Sequence, residues 1–311
     1  MNVFLAGATG AVGRTLIPLL LEHGHTVVGT TRTPEKAALL RELGAEPVVL
    51  DGLDRDAVVA AVAAARPDAI VHQMTALSGS LDLRKFEQAF ATTNRLRTEG
   101  TDNLLAAAQA AGVERFVAQS YAGWPHARVG GPVKTEDDPL DDHPPKQQRT
   151  TLAAIRHLER EVTAAGGVAL RYGGFYGPGT GMAPGADQWE MVRARKFPIV
   201  GDGGGIWSFA HVEDVASGTL AALEDYRPGE VFNVCDDEPA PVREWLPALA
   251  AATGAKPPRR IPRWLGRLMG EHLVVMMTET RGASNAKIKR ELGWQPEWPT
   301  WREGFAALAP A

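Results

Sequence analysis

The sequence has 311 residues, of which 44% are hydrophobic and 23% charged, with a formal net charge of −4. That is ordinary for a globular chain with room for one large or two modest domains, and it leaves no basic surplus for nucleic acid or an anionic membrane. One cysteine, Cys235, rules out an internal disulfide and a cysteine-rich metal site. The opening "MNVFLAGATGAVG" has no charged leader and turns glycine-rich after five residues, and no apolar run approaches the ~20 residues of a bilayer span. A cytoplasmic protein with no membrane partner is the expectation.

Apolar runs alternate with helical patterns through the first half. Residues 2–7, 25–32, 46–50, 69–74, 115–120 and 167–172 read as buried strands. Between them "RTLIPLLLEHG", "PEKAALLRELG", "DAVVAAVAAARP" and "RTEGTDNLLAAAQAAGV" carry Leu, Ala and Val at helical spacing. Strict alternation implies right-handed βαβ units, hence an α/β fold with a doubly wound parallel sheet. Pro18 falls inside the first helix, where a local kink is expected. After residue 175 the rhythm changes. "YGPGTGMAPGAD" is a turn-rich loop, "FPIVGDGGGIWSF" reads as strand, glycine turn and strand, and "HVEDVASGTLAALEDY" is a helix with Asp214 in its first turn. "GEVFNVCD" is a further strand, followed by proline-punctuated helices and "SNAKIKRELGW". The expected organisation is a larger doubly wound domain over 1–175 and 208–235, interleaved with a smaller domain over 176–207 and 236–311.

"GATGAVG" places Gly7, Gly10 and Gly13 between the first strand and the first helix. Gly7 permits a tight turn, Gly10 lets a pyrophosphate approach the backbone, and Gly13 lets helix and strand pack closely. Thr9, Ala11 and Val12 complete the loop, whose helix N-terminus offers free N–H groups to phosphates. An acid at the end of the second strand would bind the ribose hydroxyls of NAD, but Thr30, Thr31, Arg32 and Thr33 stand there. A guanidinium and hydroxyls suit the 2′-phosphate of NADP, with NAD the other possibility.

Together these motifs resemble the short-chain dehydrogenase/reductase superfamily in its extended or atypical epimerase/dehydratase branch. "VVLDGLDRDAV" is similar to the segment that contacts adenine, which implies Asp51, Gly52 and Leu53. "TTNRLRTEGTDNLLAAAQAAGVERFVAQS", "VKTEDDPL", "LRYGGFYGPGT", "VGDGGGIWSFAHVEDVA" and "RELGWQP" follow in the family's order. The resemblance further implies cofactor contacts from Gln73, Met74, Thr75, Asn94, Gln119, Arg171, Gly173 and Gly174, and substrate contacts from Phe175, Tyr176 and Trp207. It also implies a monomer or homodimer, since relatives often dimerise through the helices at about 95–110 and 150–165.

That family pairs a Ser or Thr after the fifth strand with Tyr-x-x-x-Lys on the next helix; the lysine lowers the tyrosine's pKa so that its oxygen can exchange a proton. Matching Glu159 to the family's helix glutamate puts Thr151 at the tyrosine position and Ile155 at the lysine position. The tyrosines are 121, 172, 176 and 226, and four residues beyond them lie Pro125, Tyr176, Thr180 and Glu230. The pair is absent from the sequence. Tyr121, with Ser120, is the first candidate for a replacement donor, and a tyrosine simply packed at a strand end is the plain alternative. Thr151 could hold a substrate or a water. His72 reads as a satisfied strand histidine and His211 as fixing a helix start. No carboxylate–histidine cluster has metal-ligand spacing, and "QSYAG" is not a hydrolase elbow.

Relatives acting on nucleotide sugars carry an arginine where Trp207 stands, and an indole cannot replace a guanidinium fork. "EHLVVMMTETRGASN" adds an apolar run, and tryptophans 189, 207, 245 and 264 offer further lining, although both features also suit a core. The expected activity is NAD(P)-dependent hydride transfer to a small, partly apolar organic substrate. The alternatives are a sugar epimerase/dehydratase and a non-catalytic NADP-binding sensor.

Overall fold

Val, Ile and Phe fill the apolar runs of the first half, and such side chains fit a pleated surface covered on both faces. In the computed structural model, which describes residues 1–77 and 85–309, the chain runs β1 (Asn2–Ala6), α1 (Ala11–Glu22), β2 (Thr26–Thr31), α2 (Ala37–Glu42), β3 (Glu46–Val49), α3 (Arg55–Ala65), β4 (Ala69–His72), α4 (Phe86–Arg95), α5 (Thr101–Ala111), β5 (Arg115–Tyr121), β6 (Val133–Lys134), α6 (Arg149–Ala164) and β7 (Val168–Tyr172). It continues through β8 (Gly174–Tyr176), α7 (Asp187–Arg193), β9 (Ile199–Val200), β10 (Ile206–Trp207), β11 (Phe209–His211), α8 (Val212–Glu224), β12 (Val231–Val234), β13 (Ala240–Pro241), α9 (Val242–Ala252), β14 (Arg260–Ile261), α10 (Arg263–Met269), α11 (Glu271–Thr278), β15 (Gly282–Ala283), α12 (Ala286–Leu292) and α13 (Trp301–Ala307).

The main sheet has the order β12-β7-β5-β4-β1-β2-β3, with each neighbouring pair parallel. The chain starts near its middle, steps outward through β2 and β3, then crosses to β4 on the other side of β1. This reversal opens a crevice at the carboxyl ends of β1 and β4, where Ala6 is in register with His72. Alternation along β1 feeds two cores. Val3 and Leu5 pack with Leu16, Ile17 and Leu20 of α1 and Val215 and Leu220 of α8. Phe4 and Ala6 meet Val58 and Val62 of α3, Leu104 and Ala107 of α5, and Leu158 and Val162 of α6.

Pro18 lies within α1, which continues to Glu22. The expected strand, glycine turn and strand over 197–209 are present, but β9 and β10 do not pair with each other. β9 lies parallel to β14 and β10 antiparallel to β13. The turn between them uses left-handed backbone at Gly201 and Gly203, and Gly205 N–H donates to the Met277 carbonyl at the end of α11. A third apolar cluster gathers Trp245, Trp301, Phe209, Phe305 and Tyr176 in the second half. No helix among the described residues is long and apolar enough to cross a membrane.

Candidate functional site

The crevice is built first by glycine. Gly7, directly after β1, has φ +90°, and a Cβ there would lie 2.7 Å from the Gln73 carbonyl carbon, directly after β4. Its N–H donates to Thr30 Oγ1 at 3.0 Å. A Cβ at Gly13 would come 2.5 Å from the Ala8 carbonyl oxygen, so only glycine lets α1 pack this close. Gly10 caps α1 with no side-chain hydrogen bond, and no acid occupies the first turn. The positive end of the helix therefore faces the crevice uncompensated.

From this loop a cleft of about 790 Å³ runs along the carboxyl edge of the sheet. Its first part is lined by Gly7, Thr9, Gly10, Ala11, Val12, Gly13 and Arg14, and by Thr30, Thr31, Arg32, Thr33 and Lys36 beyond β2. Arg32 and Lys36 are exposed, and neither meets a carboxylate among the described residues. Gly52, Gln73, Met74, Thr75 and Gln119 form the middle, where the buried Gln73 Oε1 has no partner while Gln73 Nε2 donates to the Tyr172 hydroxyl at 2.8 Å. A glycine cradle, an open helix N-terminus, the exposed cations Arg14, Arg32 and Lys36 and an orphaned amide oxygen fit a dinucleotide with its phosphates at the glycine end.

Beyond Gly173, Gly174 and Phe175 the wall turns aromatic, with Phe86, Phe90, Tyr121, Trp124, Trp207 and Met276. Tyr121 ends β5 and lies 6.3 Å from Trp124, ring centre to ring centre. Its hydroxyl has no hydrogen-bond partner among the described residues. Burial pushes the phenol up to about 12, with Arg97 pulling the other way. Trp207 donates its indole N–H to the Met276 carbonyl at 2.8 Å, which leaves the ring to face the cleft.

Other residues singled out from the sequence stand behind this wall. Ser120 alternates with Tyr121 and points away from it, donating to Glu159 Oε1 at 2.6 Å. The Arg171 guanidinium grips both oxygens of Glu159 at 2.8 Å, a buried pair joining β7 to α6. Thr151 Oγ1 accepts from Asn94 Nδ2 at 3.0 Å, and Ile155 sits among Phe86, Trp124, Leu152 and Met276. Asp51 accepts the Leu53 N–H in a turn, and Leu53 packs under the sheet. Tyr176 is fully buried between His211 and Phe305.

His72 accepts from the Met74 N–H and meets the Leu96 carbonyl, and burial lowers it to about 4. His211 accepts from the Glu213 N–H at the start of α8. No group of three or more His, Cys, Asp or Glu among the described residues is arranged to hold a metal.

No motif in the sequence singles out Arg97. It lies on a π-helical turn, Leu96–Gly100, between α4 and α5, a geometry found frequently at functional sites. Asn94, Arg97 and Thr101 are buried polar residues spaced three and four apart, so they share one helix face. That spacing was the available signal.

The family model described as "NAD dependent epimerase/dehydratase family" matches residues 3–235. A 3-diazoavenalumate denitrifying reductase of a Streptomyces species is 44% identical over 309 residues, covering 98% of this chain and 99% of its own. A 2-alkyl-3-oxoalkanoate reductase of Stenotrophomonas maltophilia is 29% identical over 273 residues, covering 82% of this chain and 76% of its own. Among solved structures, the UDP-glucose 4-epimerase of Thermus thermophilus in complex with NAD is similar at TM-score 0.74 and 25% identity, over 99% of this chain and 97% of that one. That of Thermotoga maritima with UDP-glucose gives 0.77 and 22%, with the same coverage.

Proposed function

Because the chain belongs to the NAD dependent epimerase/dehydratase family of NAD(P)-binding enzymes, we propose that it is an NADPH-dependent reductase that passes a hydride to an electrophilic carbon of a small aromatic substrate without a tyrosine–lysine acid. The glycine loop and the first turn of α1 hold the pyrophosphate, and Arg32 and Lys36 hold the 2′-phosphate. Residues 1–175 and 208–235 carry the dinucleotide, while 176–207 and 236–311 supply Trp207 and Met276 to a substrate end whose other rings, Phe86, Phe90, Tyr121 and Trp124, come from the first segment. NADPH bound there supplies the hydride.

The observation that carries the reading is the composition of the substrate wall. It is made of aromatic rings, Met276, a phenol kept neutral and one buried cation, Arg97, with the Thr151 hydroxyl accepting from Asn94 and hydrocarbon at Ile155. Such a wall positions a flat apolar substrate and excludes water, and it offers no lysine-assisted proton relay. A ketone that takes up hydride becomes an alkoxide and needs a proton. An aromatic ring carbon bearing a diazonium group that takes up hydride while its C–N bond breaks gives the arene, as a phenolate where the ring carries an ortho oxygen, and neutral dinitrogen, with no proton added at carbon. The 44% identical relative is a denitrifying reductase of a diazo compound. We therefore favour a substrate whose leaving group departs without acid assistance. A sugar epimerase, which must remove and return a hydroxyl proton, fits this wall less well.

Carbonyl reduction is the second reading, favoured by the free Tyr121 hydroxyl in the cleft. The test follows NADPH absorbance with an ortho-diazophenol and with the matching ortho-hydroxy aryl ketone, against enzyme-free controls. Oxidation of NADPH by the diazophenol with one dinitrogen released per turnover supports the proposal. Oxidation by the ketone alone selects the second reading, and NADPH that binds but is consumed by neither overturns both.

A further inference from the structure

Arg97 is the most costly unexplained feature of the cleft. Its side chain lines the aromatic compartment, yet the residue is only 5% exposed, and Nη1 is buried with no hydrogen-bond partner. No carboxylate pairs with it among the described residues. Glu159, whose charge reaches it from behind the wall, already spends one oxygen on Ser120 and both on Arg171. Burial accordingly lowers the guanidinium to about 10, partly offset by Tyr121 and Glu159, and it stays charged at neutral pH. A buried, unpaired cation is strongly unfavourable unless an anion completes it. Proteins keep such groups where a ligand supplies the missing charge.

We propose that Arg97 is the anchor for a carboxylate on the substrate, so that the substrate class is the arylcarboxylic acids: an aromatic ring packed against Phe86, Trp124 and Tyr121, with its acid group on the Arg97 fork. This specifies the substrate of the reductase proposed above and rests on that reading only for the reaction, not for the binding. Carboxylate is favoured over phosphate because the fork is a single cation in an otherwise apolar compartment, whereas Arg32 and Lys36 offer two cations at the opposite end. The π-helical turn aims the fork, because an extra residue in the turn between α4 and α5 shifts the side-chain direction from that of a regular helix. Bound this way, the acid fixes the ring's position in the compartment and discriminates against neutral analogues of the same shape.

The experiment is equilibrium binding of trans-cinnamate and its uncharged amide to NADP-saturated full-length protein, by titration calorimetry. A charge-assisted contact to a desolvated arginine predicts that the acid binds about 30-fold more tightly than the amide. Arg97→Gln should remove that preference while leaving NADPH affinity within a factor of about two. Equal binding of acid and amide by the wild-type protein overturns the inference even if the variant fails to fold, as does no binding of either. A variant that loses NADPH affinity as steeply as cinnamate affinity makes Arg97 a cofactor residue and also overturns it. Because no turnover is measured, cinnamate can bind through Arg97 while the reductase reading fails. Equally, NADPH can be consumed by neutral substrates while this inference fails.

Discussion

Tyr121→Phe separates acid-free hydride transfer from the acid-assisted kind. The ring packs with Trp124 and the neighbouring apolar cluster, and the hydroxyl makes no hydrogen bond among the described residues. Phenylalanine therefore keeps the packing and orphans no partner. Stability should change by no more than about 0.5 kcal/mol. With a substrate that expels dinitrogen, the hydroxyl contributes at most one neutral hydrogen bond, about 1 kcal/mol or a factor of about 5 in kcat/KM. With a ketone, loss of the proton donor should cost about 100-fold or more in kcat. Burial pushes the phenol up from its usual 10 to about 12. It is thus protonated throughout pH 6 to 9, roughly, and the wild-type rate should show no ionisation of this group across that range. The assay is NADPH consumption by both proteins with both substrate types over that range. A drop of about 100-fold with the diazo substrate would mean that the hydroxyl moves a proton in the rate-limiting step, and hydride transfer would not be acid-free.

Replacing both Arg32 and Lys36 with Ala should weaken NADPH binding about 100-fold or more, at about 1.5–3 kcal/mol for each charged contact with the phosphate, and leave NADH unchanged. Fluorescence titration reads both, and equal losses for the two cofactors would place the cations elsewhere. Glu159→Gln strands the Arg171 guanidinium, which is buried against α6. A loss of about 3–5 kcal/mol in urea unfolding is expected, and an unchanged midpoint would mean that the pair contributes nothing net. His126 is buried beside the Arg171 guanidinium, and burial, with Arg171, lowers it from 6.5 to about 4. Between those values the unfolded chain binds a proton that the folded chain does not, so stability rises with pH across this window and is lost as pH falls toward 4. The contribution is roughly 3 kcal/mol at about 1.36 per pKa unit. His72, lowered over the same window, contributes a like slope. His126→Gln should therefore remove about one proton's share of the slope in urea midpoints and leave that of His72; an unaltered slope would assign the whole of it to other groups.

The doubly wound sheet was legible because β-branched runs and helical repeats alternate, and because both faces of β1 bury what the alternation of Val3, Phe4, Leu5 and Ala6 implies. The glycine loop was legible for a similar reason, since Gly7 and Gly13 answer local steric demands that Gln73 and Ala8 make explicit. The substrate end was less readable because it depends on partners far apart in sequence. Ser120 and Arg171 look like site residues by position, and both are turned to Glu159, which no local spacing announces. Trp207 marks its region correctly as apolar, but the partner of its N–H, the Met276 carbonyl, comes from a helix about seventy residues on. Arg97 was hidden because a π-helical turn looks like any helix in sequence, so its fork could not be aimed from spacing alone.

Net hydride delivery from NADPH to the substrate carbon can be followed by isotope transfer. NADPH deuterated at C4 on the transferring face is mixed in a single turnover with the protein and an ortho-diazophenol. Deuterium is expected on the ring carbon that carried the nitrogen, with one dinitrogen released per NADPH oxidised. Deuterium retained on the cofactor while the substrate is consumed would contradict it.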